Sequence, residues 1–196
     1  MKTIEINGAK RANISKQEVK NLRGSEMVPC VLYGGEEQVH FSTDLSSFKG
    51  LVYTPDVHMV KLSVDGKEYQ CVIQDVQYHP VTDVIIHADF LQVFDNKPVT
   101  MSIPVKLTGA SEGVKMGGKL VTKYRRLKVK ALPANLPDFI TVDISSMKIG
   151  DTIRVRDLNL SDVTLLESPA NVIVSVNMTR NVSLKQLKHL KNNIAS

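Results

Sequence analysis

Short strand-like segments recur along the first half of the chain, where β-branched and other apolar residues alternate with polar residues or run together. Asp65 and Gly66 separate two of these segments and are typical of a tight hairpin turn. Several short strands joined by turns indicate a closed or nearly closed β-barrel. We predict its strands at residues 2–7, 28–33, 39–41, 60–64, 69–74 and 84–93.

One segment of this half carries a helix start signal instead. Ser15 is followed three residues later by Glu18, the spacing of a capping box, and Gly24 supplies a stop. The spacing predicts a short helix over residues 16–23. This segment has few apolar residues, so we expect the helix to become fully ordered only when it binds a partner. A further helical turn is predicted over residues 44–50.

The second half of the chain is also predicted to form short strands, after a break at residues 94–98. Residues 108–119 contain four glycines and are interpreted as a flexible connection. We therefore predict an all-β protein with a barrel domain over residues 1–94, a second β domain over 95–179 and a basic tail over 180–196 that forms a short amphipathic helix. The strands of the second half are predicted at residues 99–107, 127–132, 140–144, 152–155 and 172–178.

Amide, imidazole and carboxylate side chains collect in two consecutive strands at the end of the first half. Gln74 and Gln77 lie toward the end of one strand. His87 and Asp89 are two residues apart in the next strand, so they share one face. Burial of such groups without partners is costly, so we expect this face to be wet or occupied by a ligand. Asp75 is interpreted separately, as the cap of a turn.

Charge is distributed unevenly along the 196 residues, whose formal net charge is +5. Residues 1–95 carry nine Lys or Arg and thirteen Asp or Glu, whereas residues 96–196 carry sixteen and seven. A basic excess favours polyanionic partners such as nucleic acid, and charge alone would place such a partner on the second half. Within the acidic half, however, residues 10–23 carry five basic side chains and one acid, so the predicted helix lies in a locally positive segment.

Little in the sequence indicates catalysis. Cys30 and Cys71 lie in apolar strand-like runs, as the reduced core cysteines of a cytoplasmic protein do. No apolar run has the length of a membrane span, and no phosphate-cradling glycine motif is present. His79, His87 and Asp89 have the residue types of a metal site, but no third histidine at helical spacing and no nearby general base accompany them. We expect no enzyme, no metal and no cofactor.

Short motifs that occur in order along the chain resemble one ribosomal protein family. Residues 74–80 (QDVQYHP) and 87–90 (HADF) are similar to the signature of the bacterial large-subunit ribosomal protein that binds 5S ribosomal RNA. The resemblance runs from about residue 4 to residue 178. Residues 22–24 and 28–34 resemble the N-terminal signature of that family. The extra domain of its long form, the general stress protein CTC type, is similar to this chain at residues 117–118, 132–137, 142–144 and 149–151.

The resemblance implies a structural protein of the central protuberance that binds 5S ribosomal RNA beside neighbouring ribosomal proteins, is a monomer off the ribosome and has no membrane contact. Basic side chains of the arm would meet phosphates, and polar side chains of the strand face would meet sugars and base edges. The arm has fewer arginines and glycines than the family pattern, and Tyr78 stands where a basic residue is common, so fewer phosphate contacts are expected. The implied RNA-binding residues are Lys10, Arg11, Lys16, Lys20, Arg23, Tyr33, Gln74, Gln77, His79, His87 and Asp89.

Some of these residues have a second interpretation. Tyr33 and Phe90 are typical of core residues, although contact with RNA is an equal alternative for Tyr33. Lys10 and Arg11 fit solvated surface charges as well as they fit RNA contacts. Residues 123–130, the densest basic segment, form either a solvated sheet face or a contact with ribosomal RNA or an acidic neighbour. The alternative function is a stress-regulated RNA- or protein-binding module that acts mainly off the ribosome.

Overall fold

The structure is a computed structural model that describes residues 2–12, 15–158, 160 and 162–179. The predicted all-β class is confirmed, because strands dominate and the helices are short. The chain divides into two compact units, residues 1–101 with 131–138 and residues 102–130 with 139–196. The predicted tail over residues 180–196 lies outside the described residues. The predicted boundary after residue 94 concerns independent folding and stays a prediction.

A closed six-stranded barrel forms most of the first unit. The strands are β1 (Lys2–Lys10), β2 (Met27–Tyr33), β3 (Val39–Asp44), β4 (His58–Val64), β5 (Lys67–Tyr78) and β6 (Ile85–Gln92). Their order around the barrel is β1-β3-β2-β6-β5-β4. The pairs β1–β4 and β2–β6 are parallel, and the other neighbouring pairs are antiparallel. Closure leaves no open sheet edge in this unit's barrel.

The predicted helix is present as α1 (Lys16–Gly24), which connects β1 to β2. Ser15 begins it as predicted, since its hydroxyl oxygen accepts a hydrogen bond of 3.3 Å from the backbone N–H of Glu18. The helix buries none of its residues. Its two apolar residues of the central turns, Val19 and Leu22, are half-buried. The predicted turn after β3 is a 3-10 turn (Leu45–Phe48) that continues into α2 (Lys49–Val52).

Aromatic rings and small apolar side chains fill the barrel. The ring centroids of Phe41 and Phe90 lie 5.5 Å apart, and those of Phe48 and Phe90 lie 6.3 Å apart. Cys30 and Cys71 are free thiols within the same core, as expected. Burial raises the pKa of both thiols, for Cys71 to about 12, so they remain protonated and unreactive at neutral pH.

Gly8 marks a close approach of β1 to this core. A Cβ at this position would lie 2.6 Å from Cδ2 of the fully buried Phe41. We expect Gly8→Ala to lower the free energy of unfolding by about 1–3 kcal/mol, because the overpacked ring must shift. Gly24→Ala is the matched control, since no atom beyond its chain neighbours and its own helix backbone lies within 4 Å of its added Cβ. Chemical denaturation of both variants tests this, and equal midpoints would contradict the close approach.

The second unit contains two small sheets, ordered β10-β7-β9-β12 and β11-β13-β8. Their strands are β7 (Val99–Thr108), β8 (Lys119–Thr122), β9 (Arg126–Ala131), β10 (Ile140–Asp143), β11 (Thr152–Arg154), β12 (Thr164–Leu165) and β13 (Val172–Asn177). A short 3-10 turn of this unit lies at Val155–Asp157, and another lies at Pro133–Asn135, in the segment that groups with the first unit. No helix among the described residues is long and apolar enough to cross a membrane.

The expectation of a flexible connection at residues 108–119 was wrong. This segment contains α3 (Glu112–Lys115), and Ser111, which is 2% exposed, caps it by accepting a hydrogen bond of 3.4 Å from the N–H of Val114. The same hydroxyl donates to the carbonyl oxygen of Met147 at 2.7 Å. A buried, doubly bonded cap fixes the connection against the rest of the unit.

Candidate nucleic-acid interface

A β-bulge in β5 decides which of its side chains point out of the barrel. Ile73 and Val76 are three residues apart, yet both pack against the core. Regular alternation would place them on opposite faces. The pairing with β6 shifts between Ile73 and Asp75, so Gln74 is an extra residue and the alternation restarts after it. Asp75 and Gln77 therefore share the outer face.

The outward side chains of three neighbouring strands form one surface, which we call the polar strand face. Asp75 lies directly opposite Asp89, and Gln77 lies directly opposite His87, in the pairing of β5 with β6. Tyr33 joins them from the end of β2, the other neighbour of β6. The polar strand face thus comprises Tyr33, Asp75, Gln77, His87 and Asp89, which the sequence spreads over 57 positions.

The interpretation of Asp75 as a turn cap was wrong. Strand β5 continues to Tyr78, and Asp75 is paired within it. The turn after β5 is held by His79 instead, whose Nδ1 accepts hydrogen bonds from the backbone N–H groups of Val81 (3.4 Å) and Thr82 (3.3 Å). The three-residue spacing of Ile73 and Val76 was the signal in the sequence that could have revealed the bulge.

Two carboxylates dominate the electrostatics of the polar strand face. Like charges directly opposite each other on a sheet destabilise it. Hydrogen-bond donors of a ligand would therefore stabilise the pair Asp75 and Asp89. Asp89 Oδ1 lies 2.8 Å from His87 Nδ1, so the carboxylate and the imidazole are in direct contact on this face. Burial, and then the charges of Asp89 and Asp75, raise the pKa of the Tyr33 phenol. Tyr33 is therefore a neutral hydroxyl at physiological pH.

Three cations lie along one side of α1. Lys16, Lys20 and Arg23 are exposed and line a groove of about 320 Å³ together with Val19. We call this the cationic groove. Spacings of three and four residues bring side chains to the same side of a helix, which explains the alignment. The groove offers a row of positive charges without an acidic residue in its lining.

Arg23 joins the cationic groove to the polar strand face. Its Nε and Nη2 donate hydrogen bonds of 3.2 and 3.0 Å to the backbone carbonyl oxygen of Ile86, the residue before His87. Because a guanidinium has about five N–H donors, it can hold this carbonyl and still meet a ligand. The contact tethers the last turn of α1 to β6. The two groups of residues therefore belong to one surface of the first unit.

Arg11 is placed differently from the other expected contact residues. Its side chain is only 6% exposed, and its Nε lies 3.6 Å from Oε1 of Glu18. Direct RNA contact was expected for Arg11, but in this structure the guanidinium is turned away from solvent toward the first turn of α1. The pair ties the helix to the end of β1. Lys10, the residue before it, is exposed.

The remaining expected residues flank the polar strand face. Gln74 is exposed at the bulge, and His79 is exposed at the turn between β5 and β6. Within the part of the chain that the structure describes, no three His, Cys, Asp or Glu side chains are grouped so that they could hold a metal ion.

Comparison of the sequence with known proteins identifies two family matches and several close relatives. Residues 6–90 match the Ribosomal L25p family, and residues 98–180 match the family described as Ribosomal protein TL5, C-terminal domain. A relative from Christiangramia forsetii named large ribosomal subunit protein bL25 is 47% identical over 184 residues, covering 93% of this chain and 84% of the relative. Proteins of the same name from Amoebophilus asiaticus (47% over 180 residues, 92% of each chain) and Cytophaga hutchinsonii (45% over 186 residues, 95% and 96%) are similar throughout.

The barrel and these matches together define a structural, non-enzymatic protein of the large ribosomal subunit. More narrowly, the chain belongs to the bL25 family, in the long form that carries a TL5-type C-terminal domain.

Proposed function

We propose that the first unit binds 5S ribosomal RNA in the central protuberance of the large ribosomal subunit, on cytoplasmic ribosomes. The observation that carries the proposal is the Arg23–Ile86 contact, which makes the cationic groove and the polar strand face continuous. Folded RNA presents phosphates beside a wide minor groove of 2′-hydroxyls and base edges, and the two parts of the surface suit these two targets. Membership of a large-subunit protein family supports ribosomal RNA as the ligand.

The proposal assigns different roles to the two parts of the surface. Cations of the cationic groove bind phosphates and set the affinity. Carboxylates cannot bind phosphates, so Asp75 and Asp89 accept hydrogen bonds from base N–H groups or 2′-hydroxyls. Arg11, which is buried against Glu18, positions α1 rather than touching RNA. The proposed contact residues are Lys10, Lys16, Lys20, Arg23, Tyr33, Gln74, Asp75, Gln77, His79, His87 and Asp89.

A fragment of residues 1–94 should fold alone and bind 5S RNA. All six barrel strands end by Gln92, so the fragment keeps the closed barrel and the whole proposed surface. Its net charge is negative, but the cationic groove supplies a local positive field. Titration of labelled 5S RNA with this fragment, with residues 1–101 and with the full chain tests the prediction. Binding by residues 95–196 alone would contradict it.

Co-sedimentation of the full chain with large ribosomal subunits at high salt tests the location. Retention in the subunit fraction is expected, because polar contacts to sugars and base edges survive screening better than phosphate contacts do. A protein that stays in the supernatant while still binding free 5S RNA would favour a module that acts mainly off the ribosome.

A further inference from the structure

The turn between β5 and β6 presents aliphatic side chains to solvent. Pro80, Val81 and Val84 are exposed, and Val81, at 84%, is the most exposed large apolar side chain in the part of the chain that the structure describes. A single exposed valine is ordinary on a protein surface, but three aliphatic side chains within five positions form a small apolar projection. We propose that this projection, which we call the apolar tip (residues 80–84), docks into an apolar pocket with a cationic rim on a basic protein of the large ribosomal subunit.

His79, the residue before the apolar tip, holds the tip in one shape. Its ring Nδ1 accepts hydrogen bonds from the backbone N–H groups of Val81 and Thr82, at 3.4 and 3.3 Å. Its backbone N–H donates to the carbonyl oxygen of Val84 at 2.8 Å, and its own carbonyl oxygen accepts from the N–H of Asp83 at 3.0 Å. Four hydrogen bonds to one residue fix the turn before a partner arrives. Docking of the apolar tip therefore costs little conformational entropy.

The charge of the hairpin favours a protein over RNA as the partner of its tip. No Lys or Arg lies between Lys67 and Lys97, so the tip and both strands after the first residue of β5 carry no cation. Arg23 contacts this hairpin at the carbonyl oxygen of Ile86, within β6 rather than at the tip. The one carboxylate of the tip, Asp83, is exposed and repels phosphates. A basic protein surface would instead complement this charge.

The aliphatic chemistry of the tip leads to the same partner. RNA offers phosphates, 2′-hydroxyls and base edges, which call for cations or hydrogen-bonding side chains, and base faces, which stack on aromatic rings. The apolar tip lies beyond the last pair of the hairpin, Tyr78 with Ile85, so it extends past the polar strand face. Val81 gains free energy by leaving water for an apolar pocket. This inference rests on membership of a large-subunit family and not on 5S binding by the first unit.

Competition for large ribosomal subunits tests the docking. Subunits purified from cells that lack the protein are incubated with the labelled full-length parent and with unlabelled full-length variants, at several salt concentrations. Val81→Ser removes aliphatic surface from the tip. Asp83→Asn removes its charge but keeps a residue type that tolerates positive φ, which is 54° at Asp83. Tyr53→Ser is the matched control, because Tyr53 is a 65% exposed side chain of the same unit that directly follows α2.

Val81→Ser should compete about tenfold less well than the parent at every salt concentration, because burial of aliphatic surface is not screened. Asp83→Asn should compete roughly threefold less well at low salt and nearly as well as the parent at high salt, since salt screens its attraction to the cationic rim. Tyr53→Ser should compete within about twofold of the parent. Equal behaviour of Val81→Ser and Tyr53→Ser would overturn the proposal.

Two further measurements distinguish protein from RNA as the occupant. The three variants should bind isolated 5S RNA as the parent does, and a loss confined to Val81→Ser would place the tip on RNA and overturn the docking. If the parent itself failed to bind 5S RNA, the proposed function would fail while the competition result would stand. A photoreactive benzoylphenylalanine in place of Val81, activated on the assembled subunit, should label a basic protein. Label on ribosomal RNA alone, or no label, would overturn the proposal.

Discussion

Replacing Lys16, Lys20 and Arg23 together by Ala is expected to weaken 5S RNA binding more than any other change to the proposed surface. Each lost phosphate contact removes about 0.9 from the slope of log K against log salt, so the triple variant should lose roughly 2.7 in slope. Binding should fall at every RNA sequence tested, because phosphates carry no sequence information. Filter binding or fluorescence anisotropy over a salt series measures both quantities.

Arg23 must be separated from the two lysines, because it has two tasks. Its guanidinium also holds the carbonyl of Ile86, so its removal releases the last turn of α1 from β6. Lys16→Ala with Lys20→Ala should therefore lower slope and affinity in proportion. Arg23→Ala should lower the affinity by more than the loss of one phosphate contact, as judged from its change in salt slope, can explain. If the Lys16→Ala/Lys20→Ala double variant and Arg23→Ala changed affinity and slope in the same ratio, the tethering role of Arg23 would be wrong.

A charge-matched control for the lysine pair lies in the same unit. Lys49 and Lys67 are exposed and lie in α2 and at the start of β5, outside the groove lining. Lys49→Ala with Lys67→Ala removes the same net charge but no proposed phosphate contact. This control should keep the parent's salt slope within about half a unit, since only long-range screening changes. A loss equal to that of Lys16→Ala with Lys20→Ala would mean that net charge alone drives binding.

Local sequence signals predicted the elements that depend on neighbouring residues. The Ser15–Glu18 spacing identified the start of α1 because the cap is a contact between residues three apart. Asp65 and Gly66 identified the β4–β5 hairpin because both need positive φ, which the structure has at 49° and 80°. Alternation located the barrel strands, and Phe90 and both cysteines lie in the predicted core.

Features that depend on distant partners escaped the sequence. The bulge at Gln74 exists only relative to β6, and it moved Asp75 from a predicted cap to the polar strand face. In the sequence, Arg11 is indistinguishable from the other surface cations of its segment. Only the structure shows that its side chain is buried beside Glu18 of α1. The short edge strands β8 and β12 have too few residues for a pattern and are defined by their pairing with β13 and β9. The proposal of RNA as the ligand came from family resemblance rather than from any periodicity.

Replacing Gln77 or His87 by Ala should weaken 5S binding without flattening its salt dependence. Each side chain lies on the polar strand face, where the two are direct cross-strand neighbours. Loss of one good contact to a base or sugar edge costs about 1–3 kcal/mol in binding free energy. No phosphate contact is lost, so the salt slope should stay within a few tenths of the parent's. Isothermal titration or anisotropy over the same salt series measures both terms.

Gln70→Ala is the matched control, because Gln70 is an exposed amide side chain of the same strand, seven positions from Gln77. It should leave 5S affinity unchanged, since it lies outside the polar strand face. The double variant of Gln77 and His87 should fall short of the sum of the single losses, because residues in contact with a shared ligand couple. If Gln77→Ala reduced the salt slope as much as the triple groove variant does, the division of roles between phosphate-binding cations and edge-reading polar groups would be wrong.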